Sequence, residues 1–200
     1  MRKIVFMMSV SVDGYFAAED GSLDWQVVDA ELHGHFNEWL GAAGAFLDGR
    51  VTYELMADYW PAADANPAAT PTMVEFARIW RDMPKYVFST TMETAGWNTT
   101  IRREIDEQEI RSLQDQPGGD LVLGGANLAR GFQELDLIDE YRLYVQPMLL
   151  GRGQRLFEWG NQQRPLRLAE VRAFSGGVTL LRYDRGTSAR TRTTAASYRS

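Results

Sequence analysis

The stretch that most constrains this chain is Leu121-Val122-Leu123, which stops at Gly124-Gly125 and passes directly into a helical pattern from about Asn127 to Glu134. A short apolar run without a polar break marks a strand buried on both faces, as in a sheet covered by helices. A strand that ends in two glycines and turns straight into a helix brings bare backbone N–H groups to the helix N-terminus. The helix dipole favours an anion there. Two readings are open at this point. The turn either holds the pyrophosphate of a dinucleotide or needs glycine for steric reasons alone.

Apolar runs alternate with helical patterns along the rest of the chain. Strands are predicted at Lys3–Ser11, briefly at Tyr15–Ala17, at Ala45–Leu47 and at Lys85–Ser89. Helices are predicted over about Asp29–Leu40, Val51–Asp58, Thr72–Asp82 and Asp106–Leu113, with Pro61–Pro71 as a long loop. After Glu140–Val145, two strands near Leu166–Phe174 and Val178–Tyr183 are joined by Ser175-Gly176-Gly177, a hairpin signal. This order, βαβα followed by antiparallel strands, predicts one α/β domain over residues 1–185 with a mixed sheet between helices.

The 44% hydrophobic and 12% aromatic content of the 200 residues excludes a disordered chain. Residues 186–200 lack apolar periodicity and are expected to form a disordered tail. The tail holds Arg190, Arg192 and Arg199 and no acid, so the net charge of −6 leaves −9 on the remainder. An acidic body argues against nucleic acid as a partner. No apolar run approaches the roughly 20 residues of a membrane span. The opening MRKIVFMMSVSVDG has the basic start of a leader but carries serines and Asp13-Gly14, so it reads as a first strand. There is no cysteine, which excludes disulfides and thiolate metal sites and makes a cytoplasmic location the expectation. His33 and His35 stand two apart on a helix, roughly 200° apart around its axis, and so read as a solvent-facing pair and not a metal site.

Three strand ends carry the remaining polar signal. Asp48–Glu54 places Gly49, Arg50 and Thr52 where a strand becomes a helix, Val87–Met92 ends in Ser89-Thr90-Thr91, and the third end is Gly124–Asn127. In open α/β sheets, ligands sit beyond the C-terminal ends of strands. A guanidinium, several hydroxyls and two helix N-termini suit a phosphorylated nucleotide. An Arg fork beside a hydroxyl suits a ribose 2′-phosphate, which favours NADPH over NADH. Taken singly, Arg50 reads as a surface ion pair, and Ser89 and Thr90 as turn caps.

With these pieces in order, the chain resembles the dihydrofolate reductase-like superfamily. More closely, it resembles the bacterial deaminase–reductase C-terminal domain family, named for the reductase half of a bifunctional riboflavin-biosynthesis enzyme. The resemblance rests on Ser9–Ala17, Leu23–Trp25, DGRVTYE, VFST, LVLGGANLARGF, Leu137–Phe157 and the terminal hairpin. It implies a three-layer α/β/α fold, its sheet mixed but mostly parallel with a C-terminal antiparallel hairpin, and a reductase that uses NADPH. Carried over by position, it implies that Gly49, Arg50, Thr52, Ser89, Thr90, Gly124, Gly125, Ala126 and Asn127 bind the phosphates and adenosine. It places Ser9, Phe16 and Ala17 at the nicotinamide carboxamide, and Trp25 and Gln146 toward the substrate. Family members often pair through sheet-edge or helix surfaces, so a homodimer is an expectation.

The chemistry implied is hydride transfer to a C=N or C=O carbon of a small heterocycle, pterin-like or of the riboflavin pathway. At family level this includes 5-amino-6-(5-phosphoribosylamino)uracil reductase activity. Two features depart from the riboflavin-pathway pattern: Tyr15 replaces a basic residue, and Gly124-Gly125-Ala126 lacks an acid. A buried acid of raised pKa would help to protonate the substrate. The candidates are Asp29, with Glu31 as its rival in the alignment, and Asp13. Against these roles stand an N-cap for Asp29 and an Asp-Gly turn for Asp13. The alternative function is a nucleotide-binding or regulatory protein that kept the fold without turnover.

Overall fold

A computed structural model of the chain describes residues 1–157 and 163–186. The predicted disordered tail therefore lies outside the described residues, apart from Gly186. The first strand, β1 (Ile4–Ser11), lies near the middle of an eight-stranded sheet. On one side of it run β6 (Leu121–Gly124), β3 (Ala45–Gly49), β4 (Lys85–Phe88) and β5 (Thr99–Arg102), all parallel. On the other side lie β7 (Glu140–Gln146), parallel to β1, then β10 (Thr179–Arg185) and β9 (Leu166–Ala173) as the antiparallel pair. A small second ribbon pairs β2 (Tyr15–Ala17) with β8 (Gln154–Arg155).

Helices cover both faces. On one face α1 (Ala30–Gly41), α2 (Arg50–Tyr59) and α3 (Pro71–Asp82) pack against Phe46, Val87 and Val122. On the other, α4 (Glu107–Asp115) and α5 (Ala126–Glu134) cover Ile4, Phe6, Leu47, Leu121 and Leu123. Ile4, Phe6, Leu121 and Leu123 have no solvent exposure. Each such side chain contributes about 1.5–3 kcal/mol of burial. The three-layer architecture is the one the resemblance implied.

Three local expectations are corrected. Residues 61–65 of the expected loop belong to a 3-10 helix, Trp60–Ala65, packed against α3. Strand β5 was not anticipated; it is a short edge strand without apolar alternation. His33 and His35 are not a solvent-facing pair. His33 packs against Trp60 and Phe76, and His35 meets the Tyr144 hydroxyl at 3.0 Å, so burial lowers both imidazole pKa values.

Candidate functional site

Register brings the three glycine- and hydroxyl-bearing strand ends to one rim. Gly49 lies opposite Phe88, and Asp48 opposite Gly124. From there α2 and α5 begin side by side. Of the five α-helices among the described residues, α1, α3 and α4 have their first turns capped by Asp29, Thr70 and Asp106. The two at the rim begin at Gly49 and Gly125 with no side-chain cap and no acid in the first turn. Their leading N–H groups are thus left to a ligand or to water, and both dipoles favour negative charge.

The glycines divide between the two readings. Gly125 has φ +85°, and a Cβ there would stand 2.7 Å from Thr52 Oγ1, so the fold itself demands glycine. Gly49 has an ordinary φ of −76°, and an added Cβ would meet only Leu128, at 3.8 Å. Nothing among the described residues needs glycine at that position, and its absent side chain leaves the α2 N-terminus open. Ala126 is buried, and Asn127 starts the exposed face of α5. Thr52 makes no side-chain hydrogen bond among the described residues.

Beyond the two helices lies an open cleft of ≈ 450 Å³ lined by Arg50, Phe88, Ser89, Thr90, Thr91, Arg103, Glu104 and Ile105. Arg50 reaches Glu54 at 2.7 Å in a half-exposed pair. Such pairs contribute little and exchange readily for a phosphate. Ser89 Oγ accepts from the N–H groups of Thr91 and Met92, so it shapes the turn as a cap. Arg103, which sequence reasoning missed, donates to the carbonyls of Ser89 and Met92 and holds that turn at the cleft wall.

The residues expected at the nicotinamide (Ser9, Phe16, Ala17) and at the substrate (Trp25, Gln146) are tied into the fold. Gln146, fully buried, accepts from Val27 N–H at 2.8 Å and donates to Ser9 Oγ at 3.4 Å. Phe16 packs on the core, Ala17 is buried, and Trp25 Nε1 donates to the Ser22 carbonyl. The two candidate acids lie in surroundings unlike the buried, raised-pKa setting expected of them. Asp13 accepts from Ser11 Oγ and from the N–H groups of Leu150 and Gly151, and these bonds, the Ser11 one foremost, draw its pKa down to about 2. Asp29 caps Leu32 N–H and accepts from Ser175 Oγ, which lowers its pKa as well. Glu31, the rival, is lowered too, by the Ser175 N–H. All three are held as anions where a neutral acid was expected.

Among the described residues, the carboxyl whose pKa is raised is that of Asp48, at the end of β3. It is 6% exposed, and burial lifts it to about 7 against the pull of Lys85. Nothing local in the sequence marks it; its environment is made by β6 and α2 closing over a strand end.

The RibD C-terminal domain family matches residues 2–180. The chain belongs to that family. It is 31% identical over 183 residues to the uncharacterized protein YyaP of Bacillus subtilis (strain 168), covering 91% of this chain and 94% of that protein. Among solved structures, a protein named for riboflavin biosynthesis from Shewanella sp. PV-4 superposes with TM-score 0.73 at 20% identity, covering 92% of this chain and 99% of that one. The diaminohydroxyphosphoribosylaminopyrimidine deaminase/5-amino-6-(5-phosphoribosylamino)uracil reductase of Thermotoga maritima superposes with TM-score 0.63 at 18% identity, and this RibD-family chain spans 57% of its length. These likenesses establish the dihydrofolate reductase-like fold.

Proposed function

We propose that the protein is an NADPH-dependent reductase that passes hydride to a C=N or C=O carbon of a small heterocycle of the pterin or aminopyrimidine kind. The observation that carries this reading is the pair of uncapped helices, α2 and α5, opening side by side at one rim. Their N–H groups, with Thr52 and the Gly124-Gly125 turn, would hold the pyrophosphate. Arg50 and Thr90 would hold the adenosine 2′-phosphate in the adjoining cleft. Ser9, fixed by Gln146, stands on the β1 side toward which the nicotinamide end would extend. When bound, the coenzyme supplies the hydride; the chain supplies placement, which is worth several kcal/mol of a barrier.

The hydrogen bonds that Asp13 and Asp29 accept favour both as anions, which speaks against either as the proton donor. That same observation favours the second reading, a nucleotide-binding or regulatory protein without turnover. A fluorescence titration with NADPH and NADH, followed by a panel of imines, pterins, aminopyrimidines and carbonyl compounds, tests both. Tighter binding of NADPH than NADH, with oxidation by a panel member, is the expected result. Binding without oxidation by any panel member leaves the second reading standing. No binding of either coenzyme overturns the reductase reading.

A further inference from the structure

The Asp48 carboxyl is a polar group at this rim that the coenzyme reading leaves unused. It makes no hydrogen bond among the described residues, yet Asp48 as a residue is more than nine-tenths buried. Its position is set by its neighbours. A Cβ placed on Gly124 would stand 2.6 Å from Asp48 Oδ1 and 3.5 Å from Thr52 Cγ2. The carboxyl therefore lies against the Gly124-Gly125 turn, beside Thr52, between the starts of the two uncapped helices. A carboxylate there would repel a phosphate; a carboxylic acid would donate to one.

We propose that Asp48 joins the anion cradle as a hydrogen-bond donor, so that the pyrophosphate of a dinucleotide enters together with one proton taken from solvent onto Asp48. This rests on the coenzyme reading and adds to it a proton stoichiometry and a residue. Two groups here titrate near neutrality, Asp48 and Lys85, whose pKa burial lowers to about 8; of the two, it is Asp48 that lies against the Gly124-Gly125 turn. On β4, Lys85 is the charge that acts on it; that ammonium is spent on the carbonyls of Met83 and Trp97 and lies over the Trp80 ring. On α2, Arg50 is paired with Glu54, and the Tyr53 hydroxyl donates to the Gly96 carbonyl. Strand β6 and the first turn of α5 bring no titratable side chain.

The burial-raised pKa of about 7 sets the pH window. Above it the free site must take up a proton to bind, and affinity falls about tenfold per pH unit. NADPH binding is measured by fluorescence at pH 8 and 9, where the coenzyme's 2′-phosphate, which titrates at about pH 6, is already fully ionised. Calorimetry at pH 8 in two buffers of different ionisation enthalpy counts protons. Expected are a roughly tenfold weaker Kd at pH 9 than at pH 8, uptake approaching one proton per coenzyme, and loss of both in Asp48→Asn, whose Kd becomes flat with pH. Equal wild-type affinity at the two pH values, or no proton uptake, overturns the proposal without touching the coenzyme reading. A slope that survives in Asp48→Asn assigns the proton elsewhere, Lys85 included, and also overturns it. Absence of NADPH binding to the wild-type protein at any pH removes the coenzyme reading and this proposal together. The wild-type measurements decide the matter even if the variant does not fold.

Discussion

The ends of β3 and β6 and the ends of β1 and β7 lie along one rim, yet they spend their polar groups in opposite ways. At β3 and β6, two helices start uncapped, and Thr52 and Asp48 make no side-chain hydrogen bond among the described residues. At β1 and β7, Ser9, Ser11, Asp13, Gln146 and, at the adjoining hairpin, Asp29 are bonded to one another or to neighbouring backbone. The first region carries unmet hydrogen-bonding capacity that a ligand can fill. The second uses its capacity to hold three loops in place, and so acts as a scaffold for whatever docks against it. Charged residues are not a guide to which region does chemistry; what matters is whether their bonds are already made.

The largest test of this contrast is Gly125→Asp. It puts a carboxylate against the cradle at a φ of +85° and beside Thr52 Oγ1. NADPH affinity should drop at least about 100-fold by fluorescence, more than the roughly 1–2 kcal/mol of backbone strain alone would produce. An unchanged Kd would break the assignment of the open region. Next comes Gln146→Leu in the scaffold. It orphans the Val27 N–H and should cost about 1–3 kcal/mol of stability in urea unfolding, with NADPH affinity altered far less than in Gly125→Asp. Arg50→Ala should weaken NADPH roughly tenfold and NADH less than twofold, because only the former carries the extra phosphate. Equal losses would move the 2′-phosphate elsewhere.

The smallest expected effect is Asp13→Asn. The folded-state pKa of Asp13 is drawn down to about 2 from its ordinary 3.8. Its stabilisation is therefore complete above about pH 4 and is lost as pH falls toward 2. The variant should melt lower than wild type at pH 6 and approach it at pH 2, as read by circular dichroism. A gap that persists unchanged at pH 2 would mean that the carboxylate's charge is not what holds Leu150 and Gly151.

The layers, the parallel sheet and the terminal hairpin were legible because apolar runs such as Leu121–Leu123 and the cap signal at Asp29 are local. The rim was legible for the same reason, since glycines at strand ends announce themselves. Strand β5 was not, because Thr99–Arg102 pairs at an edge and has no buried face to pattern. Arg103 was hidden for a similar reason, as its role is made by a turn fourteen residues back. The surroundings of the acids were not legible because a pKa is set by tertiary structure. Asp13 and Asp29 acquired donors from Gly151 and Ser175, far along the chain, whereas Asp48 lost its water to elements that close over it.

The placing of β1 between β6 and β7 reaches beyond the folded state. The partners of β1 begin at Leu121 and Glu140, so during synthesis IVFMMSVS must wait, unpaired and oily, until most of the chain has left the ribosome. Parallel pairing over such a span is slow and exposes the chain to aggregation. A chaperone that shields the nascent N-terminus should therefore raise the folded yield of this protein more than one that acts on the finished chain.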